Sequence, residues 1–158
     1  MAGCLLPRGQ PLFVPLLREL LQQSPVRQDL ARVVALALQP GITDVVANAA
    51  NDWWVDSSDG LSQVENFALE PDNYERVLRL LVQLTGRNVD LVSPIADGAI
   101  TAAEVPLLET HGVSRLRVHV ALAAGIASQP LLSIRVHRAG VPTLEELCQT
   151  GMITAPQA

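Results

Sequence analysis

The stretch from Ser114 to Arg138, SRLRVHVALAAGIASQPLLSIRVHR, constrains the fold more than any other. Counted by twos, Leu116, Val118, Val120 and Leu122 fall on one side of a strand, and Arg115, Arg117 and His119 on the other. After a loop, Leu132, Ile134 and Val136 alternate with Ser133, Arg135 and His137. Apolar residues at a period of two, with polar residues between them, predict a half-buried antiparallel pair. The polar side gathers arginine and histidine with no intervening acid. Like charges set against each other across strands destabilise a sheet unless something negative lies over them. Solvent counter-ions, a carboxylate from elsewhere in the chain, or a phosphate ligand would each meet that need.

Upstream of the hairpin, helical and extended patterns alternate. A first helix is expected from Pro11 or Pro15 to Gln23, with Leu16, Leu17, Leu20 and Leu21 as its apolar side. Ser24-Pro25 is a start signal for a second, in which Val26, Leu30, Val33, Val34 and Ala37 share a face until Pro40-Gly41. ITDVVAN and DWWVD then read as strands separated by a turn at 48–51, and LSQVENFAL as a weaker third strand after the turn Ser57-Ser58-Asp59-Gly60. Pro71 opens a long helix through Thr85, with Tyr74, Val77, Leu78 and Leu81 on one side and Gly86 as its C-terminal cap. A strand is expected near Val89 to Val92, a bend at Ser93-Pro94, and a surface loop or short helix from Asp97 to Gly112. Thr143 with Glu146 forms a capping box for a short closing helix, TLEELCQT, ended by Gly151. The architecture predicted is α+β. A helical hairpin (1–40) leads into a mainly antiparallel sheet with a helix across one face (41–139), and a short linker helix (140–158) follows.

Composition narrows the function classes. An apolar fraction of 49% and a mean hydropathy of +0.27 support a packed core rather than disorder. A net charge of −5 gives no support to general nucleic-acid binding. All eleven basic residues are arginine, so no Schiff-base lysine, lysine base or phosphate-loop lysine is available to this polypeptide. Cys4 and Cys148 lie far apart without metal-ligand spacing, which fits a reducing, cytoplasmic setting. Pro7, Pro11 and Pro15 interrupt the apolar N-terminus, which lacks the form of a signal peptide. No apolar run approaches the ~20 residues of a membrane span.

Catalytic sets are not evident. His119 and His137 are candidate neighbours on the polar side of the hairpin, but with His111 they make no HxH, HExxH or CxxC pattern. No serine occupies a GxSxG elbow. Asp52, Asp56 and Asp59 are explained by turns. Trp53 and Trp54 are adjacent, so one belongs to the core and the other is a candidate contact. Arg117 and Arg135 remain. They are either paired with acids such as Asp97 or Glu109 on a solvated face, or they form a phosphate-facing pair, because guanidinium forks match phosphate oxygens.

Taken in order, the motifs resemble the N-terminal domain of the type II/IV secretion-system ATPases. These are the motors of tight-adherence (Flp) pili, conjugation and type II secretion. ITDVVAN resembles the family's "TD-hydrophobic-x-x-N" strand, PDNYERVLRLLVQLTGR its following helix, and Ser93-Pro94 with Asp97 its "SP-x-x-D" segment. RVHVAL and LLSIRVHR resemble its last hairpin, and TLEELCQTG the helix leading to the motor. The similarity covers about residues 26 to 154 and is nearest to the tight-adherence branch. It implies a PAS-like fold, a RecA-like motor domain of the same protein as partner, a homo-hexameric ring, and docking to inner-membrane platform proteins from the cytoplasmic side. It also implies ATP and magnesium in the full-length protein, with Arg117 and Arg135 reaching nucleotide phosphates. The GxxGxGK[ST] loop does not occur in these 158 residues, so the chain alone is not expected to hydrolyse ATP. Where the family has "D-A-R-L-P-D-G-x-R", this chain has Asp97-Gly98-Ala99 and an insertion through His111, which lacks one customary arginine. Two other classes stay open: a stand-alone PAS-like sensor, and an interaction module that assembles without nucleotide.

Overall fold

The computed structural model describes residues 24–125, 127–140, 143–149 and 151. The helix expected before Gln23 lies outside the described residues. Six strands form one antiparallel sheet: β1 (Ile42–Ala49), β2 (Asp52–Ser57), β3 (Gly60–Gln63), β4 (Ile95–Thr101), β5 (Val113–Ala121) and β6 (Leu131–Arg138). Their spatial order is β3-β2-β1-β6-β5-β4. Two three-stranded meanders therefore meet along β1 and β6, the first strand and the last. The helices are α1 (Pro25–Ala37), α2 (Pro71–Leu84), α3 (Leu107–Thr110) and α4 (Leu144–Gln149). This is the α+β architecture that the alternating patterns predict, down to the short closing helix.

The first three helices gather on one face of the sheet because that face carries the apolar side chains of the strands. α2 packs on β4 and β5, α1 packs on α2 and β1, and α3 packs on β5. Val45, Ala47, Trp53, Val118, Leu132 and Ile134 from the strands meet Val33, Val77, Leu78 and Leu81 from the helices, all at 2% exposure or less. Trp53 anchors one end of this core, edge-on to Phe67 at 5.0 Å and to Tyr74 at 6.0 Å. The Tyr74 hydroxyl donates to Pro130 O (2.8 Å), which ties α2 to the start of β6.

Three local expectations are corrected. No strand forms at Val89 to Val92. Asp90 Oδ1 accepts from the backbone N–H groups of Val92 (2.8 Å) and Ser93 (2.7 Å), closing a turn that leaves Leu91 and Val92 exposed. The strand starts later, at Ile95, and runs through Asp97-Gly98-Ala99, a segment expected to be loop. Its low intrinsic strand preference is overridden by a seven-pair ladder with β5. The third strand, expected to reach Leu69, stops at Gln63. Asn66 adopts the left-handed conformation (φ 58°), and the chain turns inward so that Phe67 and Leu69 reach the core.

Candidate functional site

The face of the sheet away from the helices carries the polar residues of the strands. Register places Arg117 directly opposite Arg135, and Asp44 opposite Arg135 on the other side, so three strands contribute one row: Asp44, Arg135, Arg117. The adjacent row runs Val46, Ser133, His119, Asp97. Alternation along each strand forces these side chains outward, because their neighbours Val45, Ile134 and Val118 are fixed in the core.

Two arginines facing each other need compensation, and the sheet provides it with two carboxylates. Arg117 grips Asp97 in a fork, with Nη2 to Oδ2 at 2.7 Å and Nε to Oδ1 at 3.2 Å. Arg135 donates Nε–H to Asp44 Oδ1 at 2.9 Å. The Arg117 hydrogen bonds hold the Asp97 carboxyl below the usual carboxylate range, and Asp97 in turn raises Arg117. Asp44, Asp97, Arg117, His119, Ser133 and Arg135 line an open groove of about 250 Å³. Both arginine side chains stay more than 60% exposed, so a ligand can reach them without any rearrangement of the core.

The histidines are not neighbours. His119 lies opposite Ser133 and His137 opposite Arg115, so the Arg117–Arg135 row separates them. His137 Nε2 is enclosed without a hydrogen-bond partner. Burial first, and then Arg115, Arg135 and Arg117, push its pKa below the ordinary value. Among the described residues no cluster of three or more His, Cys, Asp or Glu is placed to hold a metal ion. Trp53 is the core tryptophan and Trp54 the half-exposed one. Trp54 lies on the open face, and its indole N–H is fixed on Asp52 Oδ1 (2.8 Å).

Of the two acids named as arginine partners, Asp97 fills that role and Glu109 does not; Glu109 sits in α3 on the helical side. The sequence reading missed Asp44. Its signal was the ITDVVAN strand itself, where Asp44 falls on the polar parity, but the pairing of β1 with β6 spans 91 residues and leaves no local trace.

The sequence matches no protein-family model. It is 29% identical over 113 residues to two Mycobacterium tuberculosis proteins, from strains CDC 1551 / Oshkosh and ATCC 25618 / H37Rv, each named "Putative conjugal transfer protein". The match takes in 72% of this chain and 30% of each relative, so the chain spans less than a third of their length. Among solved structures, the VirB11 ATPase from the Brucella suis type IV secretion system, crystallised with sulphate, aligns with a TM-score of 0.59 at 13% identity. The alignment covers 82% of this chain and 37% of that ATPase. The chain thus shares its fold with a part of that VirB11 ATPase. No helix among the described residues is long and apolar enough to cross a membrane.

Proposed function

We propose that this chain is the N-terminal domain of a secretion or pilus-assembly ATPase, nearest to the tight-adherence branch, and that its open sheet face supplies half of a nucleotide site. The observation that carries this reading is the Arg117–Arg135 pair. It places two exposed guanidinium groups on adjacent strands, each held by one carboxylate that a phosphate oxygen can replace. The two positions also match the arginines of the family's last hairpin. ATP and magnesium would be bound mainly by a RecA-like domain of the same protein, with the arginines neutralising charge on the phosphates. The full-length protein would work as a homo-hexamer on the cytoplasmic side of the inner membrane and dock to platform proteins there. The likeness to conjugal transfer proteins and the fold shared with VirB11 support that setting.

The test uses the full-length protein. Arg135→Ala and Arg117→Ala should each lower ATPase activity at least several-fold, since a hydrogen bond to a charged group contributes about 1.5–3 kcal/mol. Unchanged turnover and nucleotide affinity in both variants would remove this face from the nucleotide site.

A further inference from the structure

One cation of the open face has no carboxylate. Arg115 precedes Arg117 by two residues on β5 and stands opposite Thr101 of β4 and His137 of β6, so these three form the row next to Asp44–Arg135–Arg117. Leu116, between the two arginines, is fixed in the core at 1% exposure, which turns Arg115 outward on the same side as Arg117. Arg117 holds Asp97 and Arg135 holds Asp44, whereas the exposed Arg115 guanidinium meets no acceptor among the described residues. The carboxylate drawn to its row, Glu104, is bonded instead to Thr101, whose N–H and hydroxyl each donate to Oε2 at 3.0 Å. His137 offers no charge to balance it. Burial first, and then Arg115, keep that ring below its ordinary pKa and so neutral at neutral pH.

Strand geometry sets the spacing of the three arginines. Arg117 and Arg135 are directly opposite, about 4.5–5.5 Å apart at Cα. Arg115 lies about 7 Å from Arg117 along β5, and about 7–8 Å from Arg135 on the diagonal. A single phosphate seated between the opposed pair occupies those two forks and leaves Arg115 one row away. A chain of phosphates lying along β5 carries a further negative charge to it. Arg115 gives up no ion pair to accept that charge, unlike the two arginines beside it.

We propose that Arg115 is a third phosphate contact on this face, and that three guanidinium groups in two adjacent rows select a chain of phosphates, such as a nucleoside triphosphate carries, over a single phosphate group. The proposal rests on the nucleotide reading given above and adds to it a residue and a specificity. Arg117 and Arg135 bind any phosphate; Arg115 reads the length of the chain.

Calorimetric titration of the 158-residue chain with tripolyphosphate and with orthophosphate, at low ionic strength, tests this. Arg115→Gln should lower the affinity for tripolyphosphate about three- to fivefold, the upper range of an exposed ion pair, and leave that for orthophosphate unchanged. Arg135→Gln should lower both. Arg76→Gln removes the same charge from an exposed position of α2, on the helical side, and should lower neither. The proposal is overturned if Arg115→Gln costs no more than Arg76→Gln, if it weakens both anions alike, or if the native chain binds neither. Where Arg135→Gln still weakens both anions, only the role of Arg115 falls. Retention of both affinities in Arg135→Gln would count against the nucleotide reading itself.

Discussion

Gly98 is the residue where a single methyl group should do most damage. It sits in the middle of β4 opposite Val118, on the core side of the sheet, with Thr85 at the end of α2 packed directly over it. Its backbone would accept alanine, and Gly→Ala at a compatible site stabilises by about 0.4–1 kcal/mol through the unfolded chain. Space decides the sign. A Cβ at Gly98 would lie 2.5 Å from Thr85 Cβ and 3.0 Å from Thr85 Cγ2, against about 3.5–4.0 Å for an unstrained carbon contact. Thr85 cannot swing aside freely, because its hydroxyl donates to Val82 O (2.7 Å) while Leu81 and Val82 are buried beneath it. Overpacking of this kind costs about 1–3 kcal/mol, so Gly98→Ala should destabilise by about 1–2 kcal/mol net. Tryptophan fluorescence, from Trp53 and Trp54 together, reports this during urea unfolding as a fall in midpoint of roughly 1 M. A double-mutant cycle isolates the cause. Thr85→Ala removes the hydroxyl and Cγ2 but leaves the close Cβ–Cβ approach, so it should rescue only in part. Thr85→Gly should make Gly98→Ala neutral or favourable. An alanine at position 98 that leaves stability unchanged, or that costs as much in the Thr85→Gly background as beside the native threonine, would refute the packing account.

Two further outcomes are expected. Asp44→Asn keeps a hydrogen-bond acceptor for Arg135 but removes the competing charge, so calorimetric titration with tripolyphosphate should show affinity rising about two- to fivefold, the range of an exposed ion pair; weaker binding would mean that Asp44 positions Arg135 rather than competing for it. His137 sets a pH dependence. Its folded-state pKa lies below the ordinary 6.5, so the unfolded chain takes up the proton first, and stability is fully present above about 6.5 and declines as pH falls from there toward the folded value. His137→Gln should flatten this slope in urea midpoints measured between pH 7.5 and 5.5, whereas an unaltered slope would assign it to other groups.

The hairpin of β5 and β6 was legible because its central positions obey one rule. Leu116, Val118 and Val120 are buried on one strand, Leu132, Ile134 and Val136 on the other, and the arginines between them point out. α2 was equally plain from its apolar stripe and its bounding Pro71 and Gly86. β4 was not, because Asp97, Gly98 and Ala99 carry no strand preference of their own; they are extended because β5 offers an unpaired edge and because Thr85 leaves room only for glycine. Val89 to Val92 misled in the opposite direction, since β-branched residues there are overruled by a single aspartate side chain. At the site, both arginines and Asp97 were readable, while Asp44 needed the long-range pairing of the first strand with the last.

That pairing has a mechanical consequence. β1 and β6 run antiparallel, so the residue that enters β1 and the residue that leaves β6 stand at the same end of the seam. Tension applied between the chain before Ile42 and the chain after Arg138 would load the seam's hydrogen bonds one after another, as in a zipper, rather than all together in shear. At the mouth of that zipper the Arg138 guanidinium donates to Gln39 O (2.6 Å) and Ile42 O (3.1 Å), bridging the two chain ends. Any load carried along the chain after Arg138 would meet this clasp before it reached the sheet, and Asp44–Arg135 is the next side-chain pair behind it.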